Sequence, residues 1–245
     1  MSPIELIGVE GLPEIRPGDD LAELIAGRAK VAPHDVIVIA QKVVSKAEGR
    51  VVDLAGVTAG EEAQRIAPQL IAQPDPRIVQ VVLDESVRVL RSSRVLITET
   101  RHGYVCANSG VDHSNVPGAD ELVLLPVDPD ESARGIRERL RELTGIDVGV
   151  IVSDTFGRPW RLGIVNVALG TAGVHAVIDL RGKQDDAGKP LHATVLAIAD
   201  DVAAAAGLLM GKTRRVPAVI VRGLRMAGEG SGRQLIRPPA EDLFR

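Results

Sequence analysis

A chain of 245 residues, 45% apolar and 25% charged, holds enough apolar material for one large domain or two small ones sharing a core, and is too apolar for long disorder. Aromatic residues make up only 2%, which argues against recognition of single-stranded nucleic acid by base stacking, and a net charge of −4 gives no reason to expect a nucleic-acid or bulk-membrane partner. The single cysteine, Cys106, excludes an internal disulfide and a cysteine-rich zinc site.

Taken in chain order, the elements alternate. Gly18-Asp-Asp20 predicts the cap of a short amphipathic helix reaching about residue 30, and Asp35-Val-Ile-Val-Ile-Ala40 a buried strand. Thr58 with Glu61 three residues on has the form of a capping box and predicts a helix to about 72. Asp75-Pro76 reads as an N-cap followed by a first-turn proline, with the helix running to about 91. Strands are expected near 94–99, 103–108 and 122–125, before Asp128-Pro129 opens a charged helix that ends at Gly145. Further strands are expected near 147–153, 164–169 and 174–180, then an alanine-rich helix over 194–210 and a strand over 216–222. The tail is Gly-rich and then Pro-rich, but the return of Leu235, Ile236, Leu243 and Phe244 predicts that it packs onto the body. With no internal repeat and no linker-like stretch, the reading is a mixed α/β (α+β) chain forming one unit over 1–245. No leader-like N-terminus and no apolar run of about 18 residues is apparent, so a cytoplasmic location is expected.

The chemistry concentrates in a few segments. After the apolar residues 104–106, a loop offers Asn108, Ser109, Asp112, Ser114 and Asn115, small polar side chains suited to surrounding a hard cation or a phosphate. The pattern returns where the run Val148-Gly-Val-Ile-Val152 leads into Ser153, Asp154 and Thr155. Two strand-end aspartates, Asp112 and Asp154, are able to share one divalent cation, for which oxygen donors favour Mg2+ or Mn2+ over zinc; both can equally be turn-capping residues. Thr155 offers a hydroxyl for a second ion. Gln41, Lys42, Ser45 and Lys46 follow a buried strand, where lysines are placed to meet phosphate oxygens or simply to form a solvated basic turn.

Residues 206–213 imitate a phosphate-binding loop, but Ala206 stands where the pattern needs glycine and the segment closes a helix instead of opening one. Gly211 reads instead as a helix C-terminal glycine. Arg222, Arg225, Arg233 and Arg237 among the tail glycines are candidates for gripping a phosphate or carboxylate, and Trp160, between Arg158 and Arg161 in an expected loop over 155–163, for a ligand wall. Cys106 is expected to be a buried, inert thiol. His113, alone beside Asp112, is given no role.

Read together, Gly11-Leu-Pro-Glu-Ile15, Val43-Val-Ser-Lys-Ala-Glu-Gly49, Cys106-Ala-Asn-Ser-Gly-Val-Asp-His-Ser-Asn115, Val152-Ser-Asp-Thr-Phe-Gly-Arg-Pro-Trp-Arg161 and the tail from Leu235 to Arg245 resemble the coenzyme F420-0:L-glutamate ligase family, in order and from end to end. The resemblance implies a ligase fold with a mixed or antiparallel sheet and flanking helices, in an intertwined homodimer. It implies GTP-dependent addition of L-glutamate, one or several, to coenzyme F420-0 through an acyl phosphate, in coenzyme F420 biosynthesis. Mg2+ or Mn2+, one or two ions, would serve as cofactor, with K+ assisting.

By position, the resemblance makes Asp112 and Asp154 ligands of one divalent ion and Thr155 a ligand of the second. It makes Leu12, Pro13, Glu14, Ile15, Gln41, Lys46 and Asn115 nucleotide contacts, together with the turn Met210, Gly211, Lys212, Thr213, Arg214, Arg215, Val216 and Pro217. No general base is assigned. The chain departs from the family pattern at Lys212, where Glu or Gln would reach toward the second ion; a protonated lysine cannot ligate a cation. It also looks like the stand-alone form, without the reductase-like extension of some relatives. Two rivals remain from the residues alone: a metal-dependent nucleotide phosphohydrolase, and a non-catalytic protein that binds a deazaflavin or nucleotide.

Overall fold

The structure, a computed structural model, describes residues 3–113 and 120–242. Its strands in chain order are β1 (Glu5–Gly8), β2 (Val36–Ala40), β3 (Val51–Asp53), β4 (Ser86–Ser93), β5 (Val95–Thr100), β6 (Val105–Ala107), β7 (Glu121–Val123), β8 (Gly149–Arg158), β9 (Arg161–Ala172), β10 (Ile178–Asp179), β11 (Val195–Leu196) and β12 (Ala218–Arg222). Its helices are α1 (Leu21–Ala26), α2 (Gln41–Ala47), α3 (Glu61–Ile66), α4 (Pro76–Asp84), α5 (Pro129–Thr144) and α6 (Ile198–Met210).

The two apolar runs 36–40 and 218–222 lie side by side in the principal sheet, whose order is β1-β12-β2-β8-β9. β2 and β8 are parallel, and the other neighbours are antiparallel. The runs are apolar without alternation because the sheet is covered on both faces. Val36 and Val38 face α6, packing with Ala199, Val202 and Ala203. Ile37 and Ile39 face α1 and α5, packing with Leu21, Ile25, Ala133 and Leu140. Three smaller sheets, β4-β5-β6, β3-β7 and β10-β11, complete the mixed α/β architecture expected from the sequence. None of the described helices is long and apolar enough to cross a membrane.

Several boundaries differ from expectation for identifiable reasons. The helix expected to run from 76 to 91 stops at Asp84, and 86–93 form β4, because pairing with β5 outweighs the helical period of its valines and leucine. Thr58 caps nothing: α3 starts at Glu61 behind Gly60, whose N–H donates to Gln80 Oε1 at 2.9 Å. That helix gives way at Ile66 to a 3-10 turn containing Pro68, which has no N–H to continue the ladder. The first helix ends at Ala26, short of residue 30, with Gly27 as its C-cap. Residues 195–196 form a short strand instead of starting α6.

Residues 155–163 are not a loop. They form the distal part of the β8–β9 hairpin, and Trp160 stands at its tip in the left-handed region (φ 57°), 85% exposed. The tail does fold back, with Leu235 packed under α6 and Ile236 against the Tyr104 and Leu169 cluster; Leu243 and Phe244 lie outside the described residues.

Candidate functional site

The pairing of β2 with β8 ends at Ala40↔Ser153, and beyond that register the two chains part: β2 turns into α2 at Gln41 while β8 continues beside β9. β1 runs parallel to β2 and ends at the same edge, where β12 begins, and the Ala40 N–H donates to the Pro217 carbonyl at 2.8 Å. The carboxyl ends of β1 and β2 and the start of β12 therefore converge beside the middle of β8, the usual side for a ligand in an open α/β sheet.

A cavity of about 990 Å³ opens there. Leu12, Pro13, Glu14 and Ile15 bound it from the segment after β1, Gln41 and Lys46 from α2, and Met210, Gly211, Lys212, Thr213, Arg215, Val216 and Pro217 from the turn between α6 and β12. Asp112, Asp154 and Thr155 line the same space. One expected contact, Arg214, is not among its walls: it turns back over the end of α6 and donates to the Leu208 carbonyl at 3.1 Å. Asn115 lies outside the described residues. The sequence reading did not assign Ser153, Asn166 or Gly207, which also line the cavity. Asn166 faces Thr155 across the hairpin, a juxtaposition set by register, and Gly207 gives α6 room beside it: a Cβ there would meet Asn166 Oδ1 at 2.7 Å.

Each charged group has an identifiable anchor. Asp112 is held by a two-way backbone pair with Val123, both hydrogen bonds 2.9 Å, just after Asn108 and Ser109, which both adopt the left-handed conformation. Ser109 is no ligand but a peg: it is buried, its N–H donates to Thr98 Oγ1 at 2.9 Å, and its hydroxyl lies 2.7 Å from the same oxygen. Such backbone strain persists only where surrounding bonds fix it. Asp154 lies within β8 and not at a strand end, immediately after a bulge between Val152 and Ser153. The bulge re-aims the strand where its parallel neighbour leaves it.

Burial of Asp154 among protein atoms pushes its carboxyl up to about 6, and the Asp112 charge adds to that rise. The Thr155 N–H and the Lys212 and Lys42 ammoniums pull the other way. On α2, Lys42 Nζ lies 2.6 Å from Asp112 Oδ2, and Lys46, one turn on, pairs with Glu14. Gln41 is buried and accepts from the Ser45 hydroxyl at 2.9 Å.

The donors around the two aspartates are carboxylate, hydroxyl and amide oxygens, with no histidine or cysteine among the described residues of the cavity wall. Among the described residues no three His, Cys, Asp or Glu gather tightly enough to cage a metal. That combination suits Mg2+ or Mn2+, which take one or two carboxylates and complete their shell with water and phosphate oxygens. The residues therefore fit such an ion: Asp112 and Asp154 could supply its carboxylates, with the Thr155 hydroxyl on the same cavity wall.

Other sequence candidates do not converge here. Arg222 pairs with buried Asp35 at 2.8 Å, Arg233 with Asp128 at 3.1 Å, and none of the four candidate arginines lines the cavity. Nor does Trp160. Cys106 is buried as expected, and burial pushes its thiol up to about 12, far from a reactive thiolate.

The family model described as F420-0:Gamma-glutamyl ligase matches residues 11–223. The chain is similar to the coenzyme F420:L-glutamate ligase of Methanopyrus kandleri, 46% identical over 255 positions that cover 100% of both chains. It is similar also to those of Archaeoglobus fulgidus, 46% identical over 99% of this chain and 96% of the relative, and Methanocaldococcus jannaschii, 44% identical over 99% and 97%.

Proposed function

The chain belongs to the F420-0:gamma-glutamyl ligase family, and from that premise we propose that it joins L-glutamate to coenzyme F420-0 in coenzyme F420 biosynthesis, with GTP as the energy source. The observation that carries the reading is the convergence of the family-matched segments, distant in sequence, on one cavity at the carboxyl edge of the sheet. Its volume of about 990 Å³ is ample for a nucleotide with room for an acceptor.

In the proposed reaction a carboxylate oxygen of the acceptor attacks the γ-phosphorus of GTP, the bond to the bridging oxygen breaks, and GDP leaves. The glutamate amine then attacks the acyl carbon, expels phosphate and loses a proton. Asp112 and Asp154 would hold a divalent ion, which would supply charge neutralisation at the phosphates when bound. Lys46 supplies a further positive charge from α2, and its pairing with Glu14 keeps it aimed into the cavity until phosphate competes for it. The rest of the work is alignment: the segment after β1 and the turn before β12 form the two walls between which a nucleotide would be oriented. No side chain is assigned as general base. One cation is favoured over two, because Lys212 is a donor where a second ion would want an oxygen.

The reading extends to a homodimer. Beyond its contact with β2, the β8–β9 hairpin exposes Leu162 at 99%, Ile164 at 55% and Trp160 at its tip, apolar surface that an isolated chain would leave in water. Light scattering coupled to size exclusion is expected to give twice the mass of the 25.9 kDa chain, and a monomer at micromolar concentration would refute it.

The test of the reaction is a mass-spectrometric assay of the purified protein with coenzyme F420-0, L-glutamate, GTP and Mn2+, omitting one component at a time. A deazaflavin product heavier by whole glutamyl units, dependent on GTP and metal, is the expected outcome. GTP loss without that product would make the protein a phosphohydrolase, and coenzyme binding without turnover would make it a binding protein.

A further inference from the structure

Four charged side chains gather where the cation is expected: Asp112, Asp154, Lys42 and Lys212. Lys42 Nζ sits 2.6 Å from Asp112 Oδ2, in a pair whose side chains are 17% and 24% exposed. Nearby, Lys46 is paired with Glu14. The carboxylates are thus matched by ammoniums, and the formal charge of the quartet is zero. A bare divalent ion gains little from such a site. To reach Asp112 it must displace an ammonium from the same oxygen, and the displaced charge then repels it at short range.

We propose that Lys42 is a resident counter-cation: its ammonium occupies Asp112 in the nucleotide-free protein and moves to phosphate when nucleotide and divalent ion enter, so the two ligands bind better together than apart. The inference rests on the reading of Asp112 and Asp154 as cation ligands. Lys42 is built for the exchange. It is a point charge on a flexible four-carbon stem, in the first turn of α2 and at the cavity wall. A triphosphate brings enough negative charge to accept both the divalent ion and the lysine, whereas either ligand alone meets a carboxylate–ammonium quartet that is already neutral. Coupling of this kind is reciprocal, so metal strengthens nucleotide binding by the factor by which nucleotide strengthens metal binding.

The test uses Mn2+ as the probe, followed by electron paramagnetic resonance in the absence of nucleotide, and a non-hydrolysable GTP analogue titrated separately in excess chelator. Lys42→Met is expected to bind Mn2+ roughly tenfold tighter than the unaltered protein, and the metal-free analogue several-fold weaker. Lys42→Arg, which keeps the charge, retains the weak Mn2+ affinity. A purely structural role for Lys42 would weaken both ligands, so the opposed signs identify the exchange. Mn2+ binding to Lys42→Met that is unchanged or weaker overturns the inference. Asp112→Asn separates the two layers. If it binds Mn2+ as well as the unaltered protein, the cation reading falls and the inference with it. If it loses Mn2+ while Lys42→Met gains nothing, the counter-cation alone is refuted.

Discussion

Asp154→Asn is expected to lower kcat by about three orders of magnitude at saturating Mn2+ and GTP, while leaving the protein as stable as before. The substitution is isosteric, and the amide oxygen can still accept from the Thr155 N–H as the carboxylate does. What it removes is a negative charge directed into the cavity. Holding that charge among buried atoms is unfavourable, as the carboxyl's rise to about 6 records, so its presence has no structural benefit to lose. In the proposed reaction its benefit is to the cation, and a site that relied on only two carboxylates would keep little affinity with one. The decisive comparison is kcat beside the thermal midpoint. Activity within about tenfold of the unaltered protein would remove Asp154 from the reaction, and a collapse of the midpoint would show that the carboxylate had been structural after all. Asp112→Asn should resemble it in activity, although there the Lys42 ammonium also loses its partner charge.

How much of this was legible in the sequence depends on what kind of information each feature needs. The apolar runs 36–40 and 218–222 announce buried strands because burial on both faces removes alternation, and α5 announces itself through Asp128 at one end and Gly145, at φ 70°, on the other. Residues 86–93 were not legible: their valines and leucine continue the helical period of α4, and only β5, supplied by tertiary pairing, decides against it. The hairpin was misread for a related reason. Gly157, Pro159 and Gly163 suggest a loop, yet β8 and β9 pair across them, and that pairing sets Asn166 opposite Thr155 in the cavity. No local pattern in the sequence singles out Asn166. The candidate site itself was reachable mainly through resemblance: spacing alone left Asp112 and Asp154 open between ligand and turn cap. The tail arginines show the limit of composition, since the partners that occupy Arg222 and Arg233, Asp35 and Asp128, lie more than a hundred residues away.

Asp130→Ala is expected to be strongly destabilising although it lies outside the site, costing about 3–5 kcal/mol. Asp130 stands in the first turn of α5, is 6% exposed, and ties three segments together. Its Oδ1 accepts from the Thr171 N–H of β9 at 2.8 Å and the Gly232 N–H of the tail at 2.7 Å, and its Oδ2 accepts from the Ser231 hydroxyl at 2.7 Å. The backbones meet here without side chains between them: a Cβ on Gly170 would lie 2.1 Å from the Pro129 carbonyl, and one on Gly232 would lie 1.9 Å from the Leu169 carbonyl oxygen. Alanine leaves two buried N–H groups and a hydroxyl facing a methyl group, in a gap that the close backbones give water little room to fill. Asp130→Asn should lose only about 1 kcal/mol, because its amide oxygen still serves both N–H groups and the serine oxygen can accept from its NH2. Urea unfolding at constant m-value measures both. A loss below about 1 kcal/mol for the alanine variant would mean that the tail docks through Leu235 and Ile236 alone and that the carboxylate bonds add nothing to it.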